Sequence, residues 1–288
     1  MHQVVRACVL PVMRFAARSY IAGPESADAI RVSRLLAKRN LGSTICYWND
    51  KADAPRTVAD QYLKSLVAMA EENLDWELSV KAPALQDSEN LIEEVAEQAE
   101  KARIRLHFDS HGPESVEATF DLIDAAGPNK SGCTLPGRWR RSLTDADRAI
   151  DLGLHVRVVK GEWPDQNHLS TDPRDGFLRV IDRLVGRARK VSVATHDAAL
   201  AREALQRLRA GRTPCEQQLL FGLPADDAMH VGREMGVPIR FYVPYGWGWL
   251  PYSVSKAYSN PHIILRLLRD LLKNSSGDVR NVAGAGSG

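Results

Sequence analysis

Cysteine is scarce in this chain. The four present, Cys8, Cys46, Cys133 and Cys215, lie far apart and form no CxxC pair, which excludes a disulfide framework and a zinc knuckle and suits reduced thiols in a cytoplasm. Long apolar runs are also missing. The opening stretch VVRACVLPVMRFAARSY is interrupted by Arg6, Pro11 and Arg14, too soon for a membrane span and in the wrong pattern for a secretory signal, so it reads as an amphipathic leader. Charge of one sign is not in excess: 38 basic and 36 acidic residues leave a formal charge of +2. No field strong enough to favour nucleic acid or an anionic membrane follows from that balance, and a small-molecule substrate is the better expectation.

Several catalytic signatures are absent as well. No GxGxxG or Walker glycine pattern follows the first expected strand, and no GxSxG nucleophile elbow occurs. His107, His111 and His155 lack the HxH or HExxH spacing of metal ligands, so no metal is expected. The last residues, 275–288, are small, polar and Gly-rich, the composition of a disordered tail after a single domain over 1–274.

What is present is an ordinary globular composition, 44% hydrophobic and 26% charged over 288 residues, with a regular alternation of patterns. Short apolar runs bounded by breakers predict strands at 44–47, 77–81, 104–109, 132–135, 154–159, 191–195, 217–220 and 239–243. Segments with helical periodicity lie between and after them, at 56–73, 88–102, 113–126, 144–152, 173–190, 197–208, 224–235 and 251–273, with one more at 24–39 before the first strand. Ser88, Thr144 and Asp197 stand where N-caps belong, and Pro224 and Pro251 where first-turn prolines belong. Eight strand and helix units in alternation argue for an α/β (β/α)8 TIM-like barrel with an extra N-terminal helix, the alternative being an open doubly wound sheet.

Barrel active sites lie at the C-terminal ends of the strands. That position selects Lys81, Asp109, Ser110, Pro136, Arg157, Lys160, Thr195, His196, Gln218, Phe221, Tyr242 and Tyr245. Lys81, Arg157 and Lys160 would bring three cations to one mouth, with Asp109 as their main carboxylate, a set suited to an anionic ligand or to the phosphates and ring of a cofactor. The bland alternative is a self-neutralising charge network. His196 in ATHD serves equally well as a satisfied buried side chain. The polar loop GEWPDQNHLSTDP after Lys160 has the length of a lid.

These strand ends carry a family resemblance. RVVKGEW at 157–163, ATHD at 194–197, EQQLLFG at 216–222, YVPYG at 242–246, SVKAPAL at 79–85 and RLHFDSHGPESVEAT at 105–119 resemble, in order and spacing, the motifs of proline dehydrogenases. The resemblance spans most of the chain. It implies a distorted (β/α)8 barrel that binds FAD noncovalently and moves hydride from a carbon next to nitrogen onto the flavin. Carried over by position, it assigns Arg157 and Lys160 to the flavin ring and its ribityl or phosphate region, Thr195 and His196 to the pyrophosphate and adenosine end, and Glu216 and Gln218 to support of the cofactor. Lys81, Asp109 and Tyr242 would line the substrate side as catalytic residues.

Departures from the pattern bear on the substrate. The family's last helix carries YLxRRxxE, whose arginines clamp the proline carboxylate. Here the segment reads YSVSKAYS: Tyr252 is kept, Ser255 and Lys256 replace the arginines, and Ser259 replaces the acid. One ammonium does not reproduce a guanidinium fork. Pro136 stands at the place of a flavin-contacting glutamine. The expected function is therefore an FAD-dependent dehydrogenase of a small amine or cyclic amino compound other than proline, in a biosynthetic role and with an unknown electron acceptor. The alternatives are a proline dehydrogenase proper, or a barrel turned to non-redox lyase or hydrolase chemistry.

Overall fold

The computed structural model describes residues 21–165, 172–246 and 248. In chain order these form α1 (Ser26–Ala37), β1 (Gly42–Tyr47), α2 (Pro55–Ala70), β2 (Trp76–Val80), α3 (Glu89–Ala102), β3 (Arg105–Phe108), α4 (Val116–Ala126), β4 (Ser131–Pro136), α5 (Ser142–Asp151), β5 (His155–Val159), α6 (Pro173–Leu184), β6 (Lys190–Ala194), α7 (Ala198–Ala210), β7 (Cys215–Leu220), α8 (Asp226–Glu234) and β8 (Ile239–Tyr245). Every strand pairs in parallel with its neighbours, and β1 pairs with both β2 and β8. The sheet is a closed eight-stranded barrel, and the open doubly wound alternative is excluded.

Strand alternation explains why short apolar runs predicted the strands. Ile45, Leu78, Val158, Val193 and Val243 point outward and are fully buried under the helices, where Val58, Tyr62 and Leu66 of α2 and Leu200, Ala204 and Leu208 of α7 cover them. Helix starts follow local chemistry. Asp172 caps α6 by accepting from the N–H groups of Arg174 and Asp175, with Pro173 in the first turn, and Asp197 caps α7 by accepting from Leu200.

Some boundaries differ from expectation. The helix expected over 173–190 stops at Leu184, because Val185 turns extended and Gly186 takes a left-handed φ of 70°; Lys190 then opens β6. Thr144 lies inside α5, which starts at Ser142. Pro224 precedes α8, which begins at Asp226, and its carbonyl accepts a bond from His196 instead. Pro113 opens a short 3-10 turn ahead of α4. The expected helix at 251–273, Pro251 included, the N-terminal leader and the tail lie outside the described residues.

The inward positions depart from the branched aliphatic filling usual in such barrels. At the N-terminal end Arg240 donates through Nε to Glu216 Oε1 at 2.9 Å and through Nη2 to Asp75 Oδ1 at 2.7 Å. Glu216 also accepts from Lys190 and Ser192, each at 2.6 Å. Glu77 accepts from Arg105 at 2.8 Å and lies 3.2 Å from His155 Nδ1. Burial pushes both glutamates up, but the Arg240 guanidinium together with His155 and, for Glu216, Lys190 outweighs it and holds them below the ordinary carboxylate range, Glu77 well below. This ionic plug closes the floor beneath the mouth.

Candidate active site

At the opposite end, five side chains from five strands meet. Asp109 follows β3, and its carboxylate accepts from Arg157 Nη1 at 2.7 Å on one oxygen and from the Tyr242 hydroxyl at 2.6 Å on the other. The Arg157 guanidinium lies 4.9 Å over the Tyr242 ring, a cation–π stack. Lys81, just past β2, donates to the carbonyl of Tyr47 and, at 3.3 Å, to Cys46 Sγ. Cys46 sits 2.6 Å from the Tyr242 oxygen. The predicted catalytic set Lys81, Asp109 and Tyr242 is thus one contact group, joined by Arg157 and by a thiol.

The charges in this group are uneven. Burial alone would raise the Asp109 carboxyl, but Arg157 and then Lys81 hold it below its ordinary value, so it is an anion. Burial, reinforced by Asp109, pushes the Tyr242 phenol well above its usual range, and burial raises the Cys46 thiol against the opposing Lys81 charge. Among the described residues no carboxylate lies within ion-pairing reach of Lys81. The cluster therefore carries two cations and one anion.

Arg157 is 5% exposed, and its Nε and Nη2 are buried without a partner. A guanidinium edge withdrawn from water and left unsatisfied is costly unless a ligand meets it. Gln218 presents a buried, unpartnered Oε1 as well, while its amide donates to Thr44 at 3.0 Å. Gly161, at φ 90°, brings its backbone so close to Pro136 that an added Cβ would lie 2.7 Å from the proline ring, so the turn after Lys160 is flat and tight. An orphaned cationic edge beside an aromatic face fits the electron-rich edge of a flavin ring.

The remaining predicted residues divide. Lys160 Nζ pairs with Asp197 at 3.2 Å, an oxygen shared with Arg174, and Thr195 accepts from the Asp197 N–H at 3.1 Å; both gather at the start of α7. His196 bonds to the end of β7 and the loop after it. Its Nδ1 donates to the Pro224 carbonyl and its Nε2 accepts from the Leu220 N–H, both at 2.9 Å, so it is a neutral stitch between two loops, with burial lowering its pKa. Glu216 belongs to the ionic plug, one layer below Gln218. Tyr245 faces α2, where its hydroxyl meets Ser65 at 2.7 Å. Tyr252, Ser255, Lys256 and Ser259 lie outside the described residues. The start of the expected lid is tied down by Arg138 to the Glu162 carbonyl and by Trp139 to that of Trp163, at 2.8 and 2.7 Å.

Cys46 is the site residue that sequence reasoning missed. Thr44 faces the barrel interior, where it meets Gln218, and the same inward parity on β1 selects Cys46 two residues on. Glu77, His107 and His155 offer ligand atoms within 4.8 Å of one another, but Arg105 already holds the same carboxylate and Arg240 stands beside it. A divalent cation there would sit among guanidinium groups.

No family model matches the chain. Its sequence is 26% identical over 278 residues to proline dehydrogenase 1 of Bacillus subtilis subsp. natto, covering 90% of this chain and 92% of that protein. It is 25% identical over the same span to proline dehydrogenase 1 of Bacillus subtilis strain 168. Among solved structures, proline utilization A from Bdellovibrio bacteriovorus superposes with a TM-score of 0.72 at 15% identity, over 86% of this chain and 33% of that one. A variant of proline utilization A from Bradyrhizobium japonicum gives 0.65 at 17% identity, over 99% of this chain and 33% of that one. The chain thus spans about a third of the length of these solved proteins.

Proposed function

From the premise that this is a proline dehydrogenase-like barrel, we propose that the chain is an FAD-dependent oxidoreductase that oxidises a carbon–nitrogen single bond of a small amine. The observation that carries this reading is the unpartnered, buried edge of Arg157, stacked on Tyr242 and held by Asp109 at the C-terminal mouth. Bound FAD would supply the hydride acceptor. Arg157 would meet the ring, Gln218 would add a hydrogen-bond acceptor below it, and Lys160 and Thr195 beside the start of α7 would meet the phosphates. Tyr242 offers an aromatic wall that excludes water, and Lys81 an ammonium with no anionic partner among the described residues.

The substrate in this reading is a small amine or cyclic amino compound other than proline, and the role biosynthetic. Ser255, Lys256 and Ser259 stand where the family has two arginines and an acid, so a carboxylate would lose its bidentate clamp. Losing one partner of such a charge-assisted pair weakens binding by about 2–5 kcal/mol. The similarity to proline dehydrogenases over nine-tenths of the chain keeps proline oxidation itself as the second reading, with Lys81 and Lys256 sharing the carboxylate. Among the described residues no helix is long and apolar enough to cross a membrane, and a cytoplasmic enzyme is the setting proposed.

Adding FAD to the purified protein should produce a bound-flavin spectrum, and anaerobic addition of small cyclic amines should bleach it. Bleaching by proline at least as efficient as by any carboxylate-free ring would favour the second reading. A colourless protein that acquires no flavin spectrum would sink both.

A further inference from the structure

We propose that the cavity between β3, β4 and the helices that follow them, α4 and α5, is a binding site for dioxygen, and that dioxygen is the electron acceptor of the reaction. The inference rests on the functional reading above and adds to it the oxidant. Phe108 at the end of β3, Val116 and Phe120 of α4, Leu135 of β4 and Trp139 ahead of α5 make the walls. Asp109 and Pro136 belong to the same lining. The cavity therefore lies directly behind the carboxylate that holds Arg157 and Tyr242, and the Pro136 ring, at the place of a flavin-contacting glutamine in the family pattern, keeps that side apolar. In the overall balance the C–H and N–H bonds of the substrate give way to a C=N bond. The two electrons and two protons released convert dioxygen to hydrogen peroxide.

The cavity volume is about 20 Å3, room for one molecule of roughly water size. Water and a neutral gas compete for such a space. A buried water needs about two to four polar partners, whereas apolar cavities stay dry and take up gases such as xenon. Most polar groups around this cavity are already committed. Asp145 accepts twice from Arg141 at 3.0 Å, the Thr134 hydroxyl meets His107 Nε2 at 3.1 Å, and the Thr119 hydroxyl donates to the Ser115 carbonyl at 2.6 Å. His111 is different. It lines the cavity, and its Nε2 is buried with no partner among the described residues. Burial, aided by the Lys81 charge, lowers its pKa to about 4, so the ring is neutral at pH 7 and its Nε2–H tautomer offers one hydrogen bond. One bond is too few to hold a water. It suits a diatomic molecule that fills the apolar space and accepts through one end.

Two measurements on the full-length chain test this. Under xenon pressure the Leu135 methyl resonances should shift in NMR spectra, with or without FAD, and the response should be lost in Val116→Leu and in the milder Thr119→Ile, which fill the space. Stopped-flow mixing of the FAD-loaded, amine-reduced protein with dioxygen should yield hydrogen peroxide. Reoxidation should slow by about tenfold in the filled variants, equivalent to about 1.4 kcal/mol of barrier. Anaerobic reduction by the amine, and reoxidation by a soluble quinone, should stay as in wild type. The two variants are independent, so one that fails to fold leaves the other to decide. No xenon response at Leu135, dioxygen reoxidation as fast in the filled variants as in wild type, or an equal slowing with quinone would each overturn the proposal. A protein that binds no FAD would sink the functional reading and dioxygen's role as acceptor with it, while the xenon response would still decide whether the cavity takes an apolar gas.

Discussion

Replacing Asp109 by Asn tests the ordering of the mouth most sharply. The side chain keeps its shape but loses the charge that faces Arg157 Nη1 at 2.7 Å, and Arg157 is 5% exposed with two further nitrogens already unpartnered. Breaking a buried pair by removing one charge costs about 3–5 kcal/mol. For a domain of this size each kcal/mol moves Tm by about 2–4 °C, so a drop on the order of 6–20 °C is expected at pH 7 by differential scanning calorimetry. The carboxyl is depressed in the folded state. Its contribution is therefore complete above the ordinary carboxylate pKa and fades as pH falls through the lower folded value, so the gap between wild type and variant should narrow in acid. Affinity for FAD should fall in parallel, because Arg157 loses the partner that aims its free edge. An Asn variant with the wild-type Tm at neutral pH, or a gap that widens in acid, would refute the reasoning.

Three further outcomes are expected. Arg240→Met should destabilise the fold by about 3–5 kcal/mol, since it leaves Glu77 and Glu216 buried with less compensation, while the spectrum of added FAD stays unchanged; urea denaturation and flavin absorbance read the two separately. His196→Ala should remove two loop stitches and lower stability by about 1–3 kcal/mol without a proportionate loss of flavin. Because burial lowers the His196 pKa, the stability it adds is present above its unfolded value and is lost as pH falls through the folded one. Ser255→Arg combined with Lys256→Arg should tighten binding of carboxylate-bearing proline analogues by about tenfold or more, measured by titration.

The barrel was readable from sequence because the strands' outward positions are mostly apolar and their breakers are local. Val156 and Val158 bracket Arg157 and announce β5 whatever the inward residues do. The depth of an inward residue was not readable in the same way. Glu216 and Gln218 share a face of β7 but stand two residues apart, roughly 6.6 Å along the strand, and that step separates an ionic plug from a position under the mouth. His196 resembled a cofactor ligand by motif, whereas its partners, the Pro224 carbonyl and the Leu220 N–H, come from a loop and a strand more than twenty residues away. Cys46 carried no motif at all; only closure of β1 against β2 and β8 brings it to Lys81 and Tyr242.

The most direct test of the central claim is a visible spectrum of the purified protein mixed with FAD and then titrated anaerobically with small cyclic amines. The account predicts a bound-flavin spectrum that bleaches on addition of the amine, and loss of both features in an Arg157→Ala variant that still folds. A wild-type protein that binds no FAD, or a bound flavin that no amine of this class reduces, would contradict it.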